Sequence, residues 1–165
     1  MKAQSVTCRR ATLDDVTAVA ELFHLCDRHY WGDKAAARED IAGHLRQRVL
    51  TADADAKIIL AEAGSRAVGF ACFALLYPAP DCGGQIYMKE LFVREDARGG
   101  GIGLALMRAV ARHGLARGAV RLDWTAETTN PRAVAFYEHI GARRLAEKLY
   151  FRFDGDSLKD FAGGS

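Results

Sequence analysis

The chain has 165 residues, half of them hydrophobic, 27% charged and only three of them proline, a composition that fits one folded domain and excludes a low-complexity or disordered chain. A net charge of +2 does not by itself mark a nucleic-acid or membrane surface, and the longest apolar run, Val68 to Tyr77, is about half of what a bilayer-spanning helix needs. The opening MKAQSVTCRRAT lacks the apolar stretch of a secretory signal, so a cytoplasmic protein without nucleic-acid or membrane partners is expected.

Val6 to Arg10 reads as a strand. Thr12, followed by Asp14 and Asp15, supplies a helix start. Val16, Val19, Ala20, Phe23 and His24 recur on one face and predict a helix to about Arg28. His29-Tyr30-Trp31-Gly32-Asp33 reads as its break, and Ile41, Leu45 and Val49 predict a second helix from about Ala36 to Leu50. Lys57 to Glu62 and Ala67 to Tyr77 form a hairpin around Ala63-Gly64-Ser65.

After a loop from Pro78 to Gly84, a strand from Gln85 to Val93 runs into a glycine cluster at residues 99 to 103. Ile102, Leu106, Ala109 and Val110 then mark a helix ending near Gly118. A strand from Val120 to Ala126, a helix from Pro131 to His139 and a last strand from Lys148 to Phe153 complete the order, with a frayed tail from Ala162 to Ser165. The expected fold is α/β (α+β), a mixed central sheet and not a doubly wound parallel one, in a single domain over residues 1–165.

Cys8, Cys26, Cys72 and Cys82 form no CxxC pair and read as ordinary reduced thiols. The five histidines show no HExxH or other metal-ligand spacing, so no metal is expected.

Glycine weakens regular structure, so four of them at the entrance of an apolar helix call for a local reason. A strand that passes through glycines into a helix N-terminus gathers unpaired N–H groups and the positive end of the helix dipole, which together make an anion site. No Lys-Ser or Lys-Thr follows the glycines, which excludes the P-loop. The GxGxxG fingerprint fails because its last position falls on Leu104 or Leu106. Between Ala97 and Leu122 stand five arginines (98, 108, 112, 117 and 121) and no acid, a local charge suited to a phosphate or pyrophosphate, although each of the helix arginines also fits a solvated face.

Arg98-x-x-Gly101-x-Gly103, after an L-F-V strand end, resembles the R/Q-x-x-G-x-G/A motif of the GCN5-related N-acetyltransferase (GNAT) superfamily. Gly99 and Gly100 fill its variable positions. Downstream, Asn130 to Ala142 resembles that superfamily's N-x-x-A-x-x-F-Y-x-x-x-G-A/F motif at each fixed position. Asn130 and Pro131 are also ordinary helix-start residues. The RRAT opening, the YMKELFV strand and FRFDGDSL look like the diamine and polyamine N-acetyltransferase branch, although Lys89 stands where polyamine enzymes of that branch carry a glutamate.

The resemblance implies a GNAT acyl-CoA N-acyltransferase fold, with a sheet of about six to seven strands and about four helices. It implies an N-acetyltransferase that uses acetyl-CoA and a small-molecule primary amine, by direct attack, in a homodimer. The pantetheine arm would pair with Leu91, Phe92 and Val93, and the pyrophosphate would rest on the N–H groups of Gly99, Gly100, Gly101, Ile102, Gly103 and Leu104. Arg98 would help close that loop, and Asn130 and Ala133 would border the arm.

Tyr137 would protonate the leaving thiolate, and Glu90, or else Glu127, would take the amine proton. Both acids also fit solvated strand ends, and Tyr137 fits a core aromatic beside Phe136. Tyr30, Trp31, Asp123, Trp124 and Glu127 are the expected acceptor contacts, aromatics beside acids that suit a cation, with core burial equally open for Trp124. A CoA-binding sensor without turnover and a protein or peptide N-acetyltransferase are the competing readings.

Overall fold

The apolar runs Ile58 to Ala61 and Val68 to Ala71 are buried without alternation, which requires a sheet covered on both faces. The computed structural model describes residues 5–163 and contains that sheet, five strands in the order β1-β2-β3-β4-β5. They are β1 (Val6–Arg10), β2 (Ala56–Ala63), β3 (Arg66–Leu76), β4 (Gly84–Val93) and β5 (Ala119–Trp124). All neighbours pair antiparallel except β4 and β5, which are parallel. The expected mixed sheet is therefore present. The ends of the chain at 1–4 and 164–165, which include part of the polar opening and of the tail expected to fray, lie outside the described residues.

Two compact units divide the chain, residues 1–125 and 126–165. In the first, α1 (Val16–Trp31) and α2 (Arg38–His44) cover one face of the sheet. Val19, Leu22 and Cys26 of α1 pack with Ile58, Leu60, Phe70 and Phe92 from the strands. Phe23 stacks on Phe70 at 4.1 Å, and burying a side chain such as Phe70 stabilises the fold by about 1.5–3 kcal/mol. The helix α3 (Ile102–Leu115) covers the other face with Ile102, Leu106 and Val110. Gly114 seats it closely, because a Cβ there would overlap Ile86.

Helix α1 runs to Trp31 and stops at Gly32, so His29, Tyr30 and Trp31 belong to its last turn and not to a break. Their aromatic bulk is compatible with helix, and only Gly32 ends it. The second helix begins at Arg38, later than expected, and its last turn, Leu45–Val49, is π-helical, with the Leu50 N–H bonded to the Leu45 carbonyl at 2.8 Å.

The second unit holds α4 (Pro131–His139) and α5 (Gly155–Phe161). The expected strand at 148–153 is absent, so the sheet has five strands among the described residues where about six to seven were expected. Apolar side chains favour a strand only where a neighbouring strand takes up its hydrogen bonds, and this segment has no such ladder. Among the described residues five α-helices stand where about four were expected. The unexpected one, α5, starts where the Asp154 N–H donates to Ser157 Oγ (3.1 Å) and the Ser157 hydroxyl donates to the Asp154 carbonyl (2.7 Å).

Candidate active site

The central irregularity of β4 is one extra residue. Met88 pairs with Phe73 and Glu90 pairs with Cys72, which leaves Lys89 as a bulge. Before it, even-numbered side chains face α3: Ile86 meets Gly114, and Phe73, opposite Met88, lies edge-on to His113 at 5.1 Å. Beyond it they face α1, where Phe92 joins the core and Glu90 meets Cys26. Parallel pairing with β5 ends at Met88 and Trp124. Leu91, Phe92 and Val93 therefore keep their β3 partners but have no β5 partner, and one backbone edge is left for another extended chain.

That edge leads into the glycine loop. After a 3-10 turn at Glu95–Ala97, Arg98 Nε donates to the Val93 carbonyl at 3.0 Å and fastens the loop to the end of β4. Gly99 and Gly101 have φ of +85° and +75°, left-handed conformations that a side chain would strain. Gly101 is the N-cap of α3, and no side chain caps this helix. The first backbone bond of its ladder is Ala105 N–H to the Gly101 carbonyl, 3.0 Å, so the N–H groups of Gly101, Ile102, Gly103 and Leu104 precede the ladder. The first turn contains no acid. Such an end favours a bound anion.

Glu90 is half-buried, and burial pushes its carboxyl above the usual carboxylate range, against the opposing charge of Lys89 and a hydrogen bond from the Leu91 N–H. The Cys26 thiol donates to it. Burial also raises both neighbouring thiols, Cys26 strongly and Cys72 up to about 11, and the Glu90 charge adds to each effect. Both thiols are thus held protonated at neutral pH, which disfavours a nucleophilic role. Neither cysteine stood out in the sequence, because their closeness to Glu90 is set by the β3–β4 register and the seating of α1.

The other expected acceptor residues of the first unit are more scattered. Tyr30 and Trp31 close α1 at 49% and 67% exposure. Trp124 sits opposite Met88, at the last β4–β5 pair. Asp123 lies 3.5 Å from Arg121, which partly meets its charge, and Arg121 also bonds Gln85 at 2.9 Å. Tyr87 Oη and Thr125 Oγ1 are 3.4 Å apart.

Asn130, Ala133, Tyr137 and Glu127 belong to the second unit. Asn130 Oδ1 accepts from the Ala133 N–H at 3.1 Å, the expected N-cap, and Pro131 opens α4. The Tyr137 ring lies 5.3 Å from that of Phe136. Glu127 is exposed and its carbonyl accepts from the Asn130 N–H at 3.0 Å. Among the described residues no group of His, Cys, Asp and Glu is arranged to hold a metal ion.

Residues 16–142 match the Acetyltransferase (GNAT) family. Over 108 residues the chain is 32% identical to thialysine N-epsilon-acetyltransferase of Mus musculus, covering 61% of this chain and 60% of that protein. It is 34% identical over 91 residues to L-ornithine N5-acetyltransferase of Arabidopsis thaliana, covering 55% of this chain and 40% of that one. The chain thus spans 60% or less of the length of these curated relatives. An integron cassette protein from the mobile metagenome of V. cholerae has the same fold, with a TM-score of 0.90 and 42% identity over 96% of this chain and 98% of the other. With the family matched over most of its length and the β4–β5 pairing interrupted beside a glycine-lined helix entrance, the chain belongs to the acetyltransferase (GNAT) family.

Proposed function

We propose that the protein transfers the acetyl group of acetyl-CoA to a primary amine of a small molecule. The observation that carries this reading is the continuity of β4: past the Lys89 bulge its edge is unpaired, and it leads into an uncapped, acid-free helix N-terminus. The first feature suits an extended pantetheine arm along Leu91, Phe92 and Val93. The second suits a pyrophosphate on the amides of Gly99 to Leu104, with Arg98 holding the loop. A single acetyltransferase domain over residues 1–165 is part of the same reading.

Acetyl-CoA supplies an activated thioester. Glu90, with its raised pKa, accepts a proton from the acceptor ammonium, and the freed amine nitrogen forms the C–N bond as the C–S bond breaks. Tyr137 donates a proton to the departing thiolate. No acyl-enzyme is required, and the protonated Cys26 and Cys72 argue against one. The mouse and plant relatives are named for thialysine and L-ornithine, which favours a diamino compound as acceptor here. Four free thiols suit a cytoplasmic setting, and the exposed Leu149 and Phe151 on an unpaired segment suit a homodimer contact.

The test is release of CoA thiol from acetyl-CoA by the purified protein against a panel of diamines, amino acids, aminoglycosides and peptides. Release that depends on an added small amine supports the reading. Saturable acetyl-CoA binding with no release for any acceptor supports a sensor instead, and release with peptides alone supports a protein acetyltransferase.

A further inference from the structure

A cavity of about 360 Å³ lies under α2 on the α1 face of the sheet, within the range of small-molecule sites. Its helix side is Phe23, Ile41, Leu45 and Val49, and its sheet side is Ala56 and Cys72. The π-helical turn at Leu45–Val49 supplies two of these residues, and such turns recur at functional sites. Two polar side chains also line it, Asp40 and His44, one turn apart on α2 and both exposed. Asp40 has no ion-pair partner among the described residues, while the neighbouring Arg38 is held by Glu21 at 2.6 Å.

The sheet side of the cavity adjoins the proton acceptor assigned above. Cys72, on its sheet side, is the direct cross-strand partner of Glu90, and antiparallel partners have Cα atoms about 5 Å apart. Cys26, which donates to Glu90, follows Phe23 by three residues and so lies on the same stripe of α1. One carboxylate, Asp40, therefore lines the apolar cavity, and a second, Glu90, stands beside its Cys72 wall. This is the complement of a chain with an amine at both ends, and it commits the space to a diamine or diamino acid.

We propose that the cavity under α2 holds the carbon chain of the acceptor, with the reacting amine toward Glu90 and a second, distal cation on the Asp40 carboxylate. The assignment rests on the acetyltransferase reading and replaces the exposed Tyr30 and Trp31 with α2 as the source of acceptor selectivity. Asp40 is a specificity residue that takes no part in bond making. It distinguishes a diamine from a monoamine of equal length, whereas the apolar wall serves both.

The experiment compares 1,4-diaminobutane and butylamine as acceptors for the wild type, Asp40→Asn and Ala36→Leu. Ala36 is exposed on the cavity rim, so its enlargement narrows the space without disturbing the core. Asp40→Asn is expected to raise KM for the diamine about tenfold and that for butylamine less than about twofold, with KM for acetyl-CoA unchanged. Ala36→Leu is expected to raise KM for both amines at unchanged KM for acetyl-CoA. Equal effects of Asp40→Asn on the two amines, or an unchanged diamine KM in both variants, would overturn the assignment while leaving the acetyltransferase reading intact. Absence of turnover by the wild type with every amine would overturn both.

Discussion

Glu90 stands directly across the β3–β4 ladder from Cys72, at the first paired position beyond the Lys89 bulge. The bulge determines which face of the sheet carries the carboxylate, and the face determines its chemistry. On the α1 side it is half-buried between two protonated thiols, where desolvation holds its proton more tightly than water would.

A raised carboxyl pKa has opposite consequences for activity and stability. The base must be ionised, so kcat/KM is expected to fall as pH drops through a pKa above the usual carboxylate range, and Glu90→Gln should abolish that limb along with most turnover. For folding, the native state binds more protons than the unfolded one between the ordinary and the raised pKa, so stability falls as pH rises through that window. Glu90→Gln is therefore expected to raise Tm at neutral pH. A pH–rate profile and a thermal melt check the two halves, and an unchanged acid limb in the variant would remove Glu90 as the base.

Tyr137 tests the opposite proton transfer. Tyr137→Phe keeps the ring beside Phe136 and removes only the hydroxyl. Acid assistance is typically worth about 10²–10⁴ in rate, so turnover is expected to fall at least about tenfold with acetyl-CoA binding nearly intact. Steady-state kinetics together with calorimetric titration of acetyl-CoA make the comparison. Unchanged turnover would exclude the role.

The glycine loop divides its four glycines differently from the motif. By spacing, Gly101 and Gly103 hold the fixed positions, yet left-handed backbone occurs at Gly99 and Gly101, while Gly103 lies inside α3. A side chain in that conformation costs about 1–2 kcal/mol. Gly99→Ala and Gly101→Ala are expected to weaken acetyl-CoA binding about tenfold, and Gly100→Ala, whose φ is not positive, less than about threefold. Equal dissociation constants for the three variants would contradict this.

The entrance to α1 offers a stability test away from the site. Arg9 reaches both carboxylate oxygens of Asp15, at 2.7 and 2.8 Å, and Glu62 at 2.8 and 2.9 Å. The Arg9 hydrogen bond holds the Asp15 carboxyl at about 2, so the stabilisation is present above the ordinary aspartate pKa and is lost as pH falls toward about 2. Because Arg9 is 44% exposed, solvent screening keeps the effect modest, and Arg9→Met is expected to cost about 1 kcal/mol at pH 7. Urea denaturation of both proteins at neutral and acid pH measures the difference, which should shrink at low pH.

Most of the strand and helix order was legible because it rests on local periodicity. The hairpin of β2 and β3, the run of β4 into the glycines and the Asn130 cap of α4 all follow from patterns within a few residues. The bulge was not legible: Lys89 is an ordinary strand residue until the pairing of β4 with β3 leaves it over, and that pairing joins residues far apart in the chain. The segment 148–153 erred in the other direction, with strand-forming side chains but no ladder to join. The Asp154 to Ser157 start of α5 was present in the letters, hidden behind that expected strand. At the site, the loop could be read from spacing, whereas Cys26, Cys72 and the cavity under α2 exist only once α1 and α2 are seated on the sheet.

The most direct test of the central claim is the fate of the acetyl group. Acetyl-CoA and 1,4-diaminobutane are incubated with the purified protein, and thiol release is followed together with mass spectrometry of the amine. Equal amounts of free CoA and N-acetylated amine, with release negligible when amine is omitted, is the predicted result. Tight acetyl-CoA binding with neither free thiol nor acetylated product, across the whole amine panel, would contradict the account.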